Sequence, residues 1–390
     1  MNFFDLNSNI FDKITLKDIL SKISMKKLLV FLFMLITHLS FAQVNGGEQI
    51  FQFLRLSQNP HTTALGGISI INPSNDVMMS TGNPALLRPS FHTQLGFNHS
   101  FYYAKTKISN VYYAHYHPKT KTTFGVGLQY LNYGNFQLTD PIGNITNTSQ
   151  ATDYALSFSA SKQYLERWRY GATIKLANSH LIDKKATALL ADLGVAYADT
   201  TNKIYIGAVV KNAGATIRNY EKGFTQPLPL DLQIGFMKKF KKAPFSISIL
   251  AHHLTKWDIR YDNPADKINN QLLFSDSSTN TKTKTYFADK LFRHFIFAFD
   301  INLGKRLEIS AGYNHLRRSE LSIADKKGMS GFSMGVGMYL NKFTVHYAQS
   351  YYHLAGSYHE LGLSIRMNQL FGLGNNGSKI NWSEKYSNSF

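Results

Sequence analysis

The stretch TTFGVGLQYLNY, Thr122–Tyr133, decides the fold. Its even positions carry Thr122, Phe124, Val126, Leu128 and Tyr130; its odd positions carry Thr123, Gly125, Gly127 and Gln129. Successive side chains point to opposite faces of a strand, so a two-residue period with one greasy face is a strand with apolar material on one side. Ser330–Leu340 repeats the pattern, with Phe332, Met334, Val336, Met338 and Leu340 on one face. Gly331, Ser333, Gly335, Gly337 and Tyr339 lie on the other. In His294–Leu303 the apolar set is Phe295, Phe297, Phe299, Ile301 and Leu303, against a face with His294, Asp300 and Asn302.

A soluble sandwich and a membrane barrel both produce this pattern. Sandwich strands run to about 5–6 residues, whereas a transmembrane strand needs roughly 9–11. Here about fourteen runs, from Gln94–Ala104 to Ser357–Met367, are mostly of the longer kind. The connections test the same choice independently. Every even-numbered gap is five residues or fewer, and all the long gaps are odd-numbered, the longest spanning 257–291. Outer-membrane barrels alternate short periplasmic turns with longer external loops, and a sandwich has no reason to. The expectation is an all-β outer-membrane antiparallel β-barrel of about 14 strands, spanning 91–370, in a Gram-negative bacterium. An even strand count returns the chain to the periplasmic side.

Composition agrees. The 390 residues hold 22 Tyr and 28 Phe but few charges, 17%, below the usual quarter of a soluble domain. With no cysteine, a disulfide framework, a thiolate zinc site, a cysteine nucleophile and a lipoprotein anchor are excluded. The N-terminus reads as a leader, 1–42. Met25-Lys26-Lys27 is a positive n-region, Leu28–Leu39 is mostly apolar, and Ser40-Phe41-Ala42 is a small-x-small cleavage site. That is a secretory signal peptide, Met25–Ala42, too short for a membrane span. The mature chain then begins near Gln43, and Met25 reads as the true start. The net charge is +18. The leader's five Lys and three Asp account for +2, which leaves +16. On an exported chain this points to lipopolysaccharide phosphates or acidic proteins as neighbours, and to no nucleic acid.

Chemistry is thin. Ser159-Ala160-Ser161-Lys162 fits S-x-x-K, but in a strand the Ser and Lys face opposite sides. His252-His253 and His359-Glu360 lack metal-site spacing, and neighbours in a strand diverge. No Walker A or dinucleotide fingerprint is present, and Gly66-Gly67 lacks the required sequel. No catalytic, cofactor-binding or metal-binding residue is assigned. The chain reads as a non-enzyme. Tyr and Phe near strand ends, as in Phe101-Tyr102-Tyr103, Tyr112-Tyr113 and Tyr351-Tyr352, suit aromatic girdles. The inward Gly125, Gly127, Gly335 and Gly337 leave room for a segment packed inside. Lys238, Lys239, Lys241 and Lys242 fall on a short periplasmic turn. They snorkel toward phosphate head groups or form a dock for an acidic partner.

One stretch does not alternate: ALGGISIINPSNDVMMSTGNPALL, Ala64–Leu87, within the 43–90 segment. Asp76–Ser80 can form a short helix after the Pro73-Ser74-Asn75 turn, and Asn83-Pro84 ends it. Irregular backbone at membrane depth is tolerated only when buried in protein. The segment is therefore expected to enter the lumen from the periplasmic end as a plug. Gly66-Gly67 would allow close approach to the wall. The polar tail, 371–390, lies outside the strand count.

Gly66-Gly67 and Asn83-Pro84-Ala85-Leu86-Leu87 resemble the N-terminal signature of FadL-like barrels and of the PorV/PorQ family of the type IX secretion system. Gly46–Leu54, Leu128–Phe136, Pro227–Leu230, Lys242–Phe245 and His253–Asp258 place the resemblance closer to the PorQ branch. It covers roughly Gly46 to Leu373. The resemblance implies a non-catalytic component of the attachment complex of that system, with no cofactor. It would anchor PorZ-like, PorU-like and PorV-like partners while cargo is exported and joined to lipopolysaccharide. The alternative is a FadL-like transporter of hydrophobic small molecules, which would need an apolar lumenal pocket. The inward faces, rich in Gly, Ser, Thr, Asp and Gln, argue mildly against one.

Overall fold

The computed structural model describes residues 49–259, 287–304, 306–320, 328–353 and 356–371. The leader with the signal Met25–Ala42, most of the 257–291 loop and the tail from 372 onward lie outside the described residues.

Fourteen antiparallel strands close into one barrel. They are β1 Gln94–Phe101, β2 Lys107–His117, β3 Thr122–Thr139, β4 Ile145–Tyr164, β5 Trp168–Leu181, β6 Lys184–Asp199 and β7 Ile204–Arg218. The second half holds β8 Asp231–Lys239, β9 Phe245–Ala251, β10 Phe295–Leu303, β11 Leu307–Asn314, β12 Phe332–Tyr339, β13 Phe343–His353 and β14 Gly356–Arg366. Each pairs with its sequence neighbours, and β1 pairs with β14 from Gln94↔Arg366 to Phe101↔His359, so no edge is left unpaired. No helix among the described residues is long and apolar enough to cross a membrane; strands do the crossing.

The alternation is what closes the wall. Along β5, Trp168, Tyr170, Ile174 and Leu176 are exposed, while Arg169, Thr173, Lys175 and Ser179 are buried inside. A solvent-exposed greasy outer face is untenable in water and favourable in lipid. The barrel is thus of the outer-membrane kind.

The six even-numbered connections, three to five residues each, lie at one end, while the longest connections lie at the other; Gln94 and Arg366 lie at the first end too. By the turn-length rule that first end is the periplasmic end. The β3–β4 connection is a ribbon that continues both strands past the wall. Beyond Asn132 the register slips and both faces become exposed, so the period-two signal fades although the pairing persists.

The tyrosine pairs split between the two faces. Tyr112, Tyr352 and Tyr358 are buried in the lumen. Tyr102, Tyr352 and Tyr358 pack edge-to-face at centroid distances of 4.9 to 6.4 Å. At the periplasmic end, the exposed Trp168 packs on Tyr197 at 4.9 Å on the lipid side. The aromatic doublets therefore divide between a girdle and a lumenal cluster, as alternation requires.

Candidate functional site

The lumen is filled by residues 50–93, and it is the lumen that the site residues line. The segment starts at the loop end, where the Ile50 amide donates to Pro227 O at 3.1 Å. Ile50, Phe51, Phe53 and Leu54 pack there with Ile108, Leu131 and Leu190, and Tyr102, Tyr133 and Tyr220 flank them. The chain then descends to His61, rises to Gly66-Gly67, and descends again to Pro89 before joining β1.

Local chemistry builds each bend. Asn59 caps the helix Pro60–Ala64 by accepting from the His61 amide at 2.7 Å, and Pro60 needs no donor partner there. Asp76 caps the 3₁₀ turn Val77–Thr81 through the Met78 amide at 3.0 Å. Asn83 does the same for Pro84–Leu86, accepting from the Ala85 amide at 3.0 Å. The segment is tied to itself as well. Asn59 donates to Asp76 at 3.2 Å, and the Asn83 amide donates to Ile70 O at 3.0 Å.

Glycine in the wall makes room for this segment. A Cβ on Gly171 would meet the Pro84 carbonyl carbon at 2.5 Å, one on Gly362 the Pro60 ring at 2.9 Å, and one on Gly335 Ala64 Cβ at 2.6 Å. Gly96, Gly194, Gly207, Gly235 and Gly312 also face segment atoms. Of the four glycines singled out from sequence, only Gly335 serves the segment. Gly125 and Gly127 face the Tyr112 ring and Gly337 faces His346, side chains of the wall itself.

Gly66 and Gly67 both have φ of +92°, a conformation that costs a residue with a Cβ. A Cβ on Gly66 would lie 2.5 Å from Ile296 Cγ2, and one on Gly67 would strike the Arg317 guanidinium. Arg317 donates to Gly66 O at 3.0 Å and stacks on Tyr352 at 3.4 Å. Arg88, buried, donates to Ser74 O at 2.5 Å and lies over Phe91 at 4.2 Å.

Polar wall residues grip the segment from several sides. Thr63 donates to Glu360 at 2.5 Å, and Asn98 also donates to Glu360. Ser364 donates to Asp76 at 2.5 Å, Arg169 to Leu87 O at 3.2 Å, and Asn314 to Gly66 O at 3.2 Å. His61 Nε2 lies 2.9 Å from Glu308 and 3.4 Å from Asp300. These pairs join positions up to 297 residues apart, so no local pattern announces them.

Two cavities of about 120 Å³ remain near the loop end. The first lies under the apolar cluster and shares Leu54 with it. Leu56, Ile68 and Leu316 line it alongside Arg55, Lys211, Arg317, His253 and Asp231. It abuts a slip in the β6–β7 ladder at Asn212, where φ is +59°. Asp192 accepts from the Asn212 amide at 2.8 Å and pairs with Lys175 at 2.5 Å, sealing the wall there.

His252 and His253 do not diverge. Strand β9 stops at Ala251, His253 adopts a φ of +56°, and the two Nδ1 atoms face each other. Burial, followed by the nearby Arg55, His294, Arg317 and Lys256 side chains, pushes the His253 pKa down to about 3. Ser159 is buried on the lumen side and Lys162 exposed, so S-x-x-K assembles nothing. Glu360 points inward and His359 outward to Tyr347, at 2.7 Å. Lys238, Lys239, Lys241 and Lys242 sit at the exposed β8–β9 turn, where Lys238 donates to Asn202 O at 2.7 Å.

The fold and its contents define a closed, internally plugged barrel of the outer-membrane class. No protein-family model matches the chain, and no curated protein matches it. Among solved structures the chain is similar to the TodX monoaromatic hydrocarbon channel in a deletion-mutant form. That match has 11% identity, covers 79% of this chain and 98% of the other, and has a TM-score of 0.46. It is similar as well to the CymD monoaromatic hydrocarbon channel, at 12% identity, 80% and 97% coverage, and a TM-score of 0.46. A Pseudomonas aeruginosa FadL homologue aligns at 10% identity, 80% and 98% coverage, and a TM-score of 0.44.

Proposed function

We propose that this chain passes a small hydrophobic or amphiphilic molecule inward across the outer membrane, with residues 50–93 as the gate. One observation carries the reading: an apolar cluster at the loop end, built on Ile50, Phe51, Phe53 and Leu54, shares Leu54 with a cavity lined by Leu56, Ile68 and Leu316 alongside Arg55, Lys211 and Arg317. Removing Ile50–Leu54 would expose apolar surface that a hydrophobic solute can cover. Ligand pockets usually enclose about 300–1,000 Å³, and a cavity of about 120 Å³ is below that range. Uptake therefore requires the N-terminal segment to shift. The polar middle of the lumen, with Asn98, Gln129 and Thr173, disfavours a greasy path straight through. A shorter exit into the wall lies beside the cavity at the slipped ladder at Asn212, and opening it would require breaking the Asp192 contacts to Asn212 and Lys175.

The test compares a deletion strain with its complemented parent for uptake of a radiolabelled long-chain fatty acid and of a monoaromatic hydrocarbon. Equal uptake of both would end this reading.

A second reading follows from how firmly the segment is bonded. A barrel gripped at Glu360, Asp76, Arg169 and Asn314 is a rigid platform. In it the chain anchors PorZ-like, PorU-like and PorV-like proteins of a type IX secretion attachment complex, without catalysis of its own. Lys238, Lys239, Lys241 and Lys242 would dock an acidic periplasmic partner. A gentle detergent pull-down that recovers the chain without such proteins excludes it.

A further inference from the structure

Near the periplasmic end three donors from two distant parts of the chain converge inside the barrel. His61 comes from the N-terminal segment, Asp300 from β10 and Glu308 from β11, and all three are buried. His61 Nε2 is 2.9 Å from Glu308 Oε1 and 3.4 Å from Asp300 Oδ1, and the three atoms lie within 4.8 Å of one another. Donors about 2.1 Å from a shared ion sit roughly 3.0–3.4 Å apart at octahedral or tetrahedral angles. The two histidine–carboxylate separations already have that spacing.

The surroundings orient the donors. Ser310 donates to Asp300 Oδ1 at 2.6 Å, and Tyr339 donates to Glu308 Oε1 at 3.0 Å. Asn72 and Ser246 each reach the other Asp300 oxygen at 3.4 Å. Such outer partners fix carboxylates at metal centres.

A second observation points the same way. His346, only 3% exposed, stacks on His61 at 5.2 Å with the rings 11° from parallel, and its Nε2 has no hydrogen-bond partner. Its Nδ1 side lies over Gly337 in the wall, which leaves Nε2 toward the lumen, 3.9 Å from Asp76. A buried imidazole nitrogen without a partner is destabilising unless something occupies it. Three carboxylates, Asp76, Asp300 and Glu308, face two imidazoles here, an arrangement a dication would offset.

We infer that His61, Asp300 and Glu308 form a divalent transition-metal site that fastens the N-terminal segment to the barrel wall. The imidazole donor favours zinc-class ions over magnesium or calcium. The ion would take the place of the direct His61–Glu308 contact, so metal occupancy would set how readily the segment moves. This goes beyond either reading of function, because it concerns the segment's attachment and not what passes or docks.

The full-length protein, purified in detergent and stripped with a chelator, is dialysed against zinc, and bound metal is measured by mass spectrometry. Heat-modifiable migration reports that the barrel is folded. One equivalent of zinc is expected on the native chain, with affinity about 100-fold weaker in Asp300→Asn/Glu308→Gln. Equal zinc binding by that folded variant, or none by the native chain, overturns the inference. Should the double variant lose heat modifiability, His61→Gln replaces it, read by Cu²⁺ electron paramagnetic resonance. Nitrogen coupling in the native protein that is lost or reduced in His61→Gln supports the site. Coupling unchanged by the substitution overturns it.

Discussion

Gly66 shows how much one residue can decide. Its φ of +92° and the wall atom 2.5 Å from its absent Cβ leave no room for a side chain. Gly66→Val therefore meets two penalties, a left-handed backbone costing about 1–2 kcal/mol and a clash with Ile296. The barrel ladders do not involve this position, so the N-terminal segment should loosen while the wall survives. Limited proteolysis should cut the variant within 50–93 while heat-modifiable migration stays normal. His253 gives a prediction in pH. Its pKa is held near 3 when folded, against an ordinary value of 6.5. Below pH 6.5 an unfolded loop binds a proton that the folded one refuses, so the stability present above 6.5 is lost as pH falls toward 3. Trp257, whose ring stacks on His294 at 5.8 Å, reports on the same loop. Tryptophan fluorescence should show a transition on acidification from pH 7 to pH 4, and His253→Gln should weaken it.

At the scale of elements, the strands were legible and their contents were not. Fourteen runs were readable because lipid on one side forces a two-residue period whatever the other side holds. Trp168–Leu181 matches its strand at both ends. Legibility failed where that force stops, as in the β3–β4 ribbon beyond Asn132, where neither face is buried. The Asp76 turn was also readable, since a capping carboxylate before an apolar run has a local signature. Its second role was not: Asp76 also accepts from Asn59 and from Ser364, 288 residues away. His61, Asp300 and Glu308 likewise meet only because the barrel closes, and histidines read from spacing alone gave no hint of it. Asp76→Ala removes the cap, about 1 kcal/mol, together with two buried partners' acceptor. It should raise amide exchange across Val77–Thr81 by more than a cap alone would. Asp76→Asn, which keeps an acceptor oxygen, should recover part of the protection.

For the whole molecule, the question is whether the lumen is closed by its wall or by what it contains. A fourteen-strand barrel is wide enough that side chains alone do not fill it; barrels of about eight strands can be filled that way. Here the wall carries glycine or small polar residues where the segment passes, such as Gly171, Gly207, Gly235 and Ser333. The wall is thus shaped to be occupied, and without the segment those positions would line an open, polar channel. Deleting Ile68–Leu86 removes the second descent, including Ile70, Ile71, Val77, Met78 and Leu86, all buried. The remaining strands keep their ladder partners, so the variant should still assemble and migrate as a folded barrel. Liposomes containing it should swell in small sugars or pass a measurable ion current, while liposomes with the native protein should do neither. The same deletion leaves Ile50–Leu54 in the chain, which separates two ways of being closed. Swelling would place the seal in the second descent. Its absence would mean that the loop-end cluster of Phe51, Phe53 and Leu54 suffices, and that any cargo must displace this cluster first.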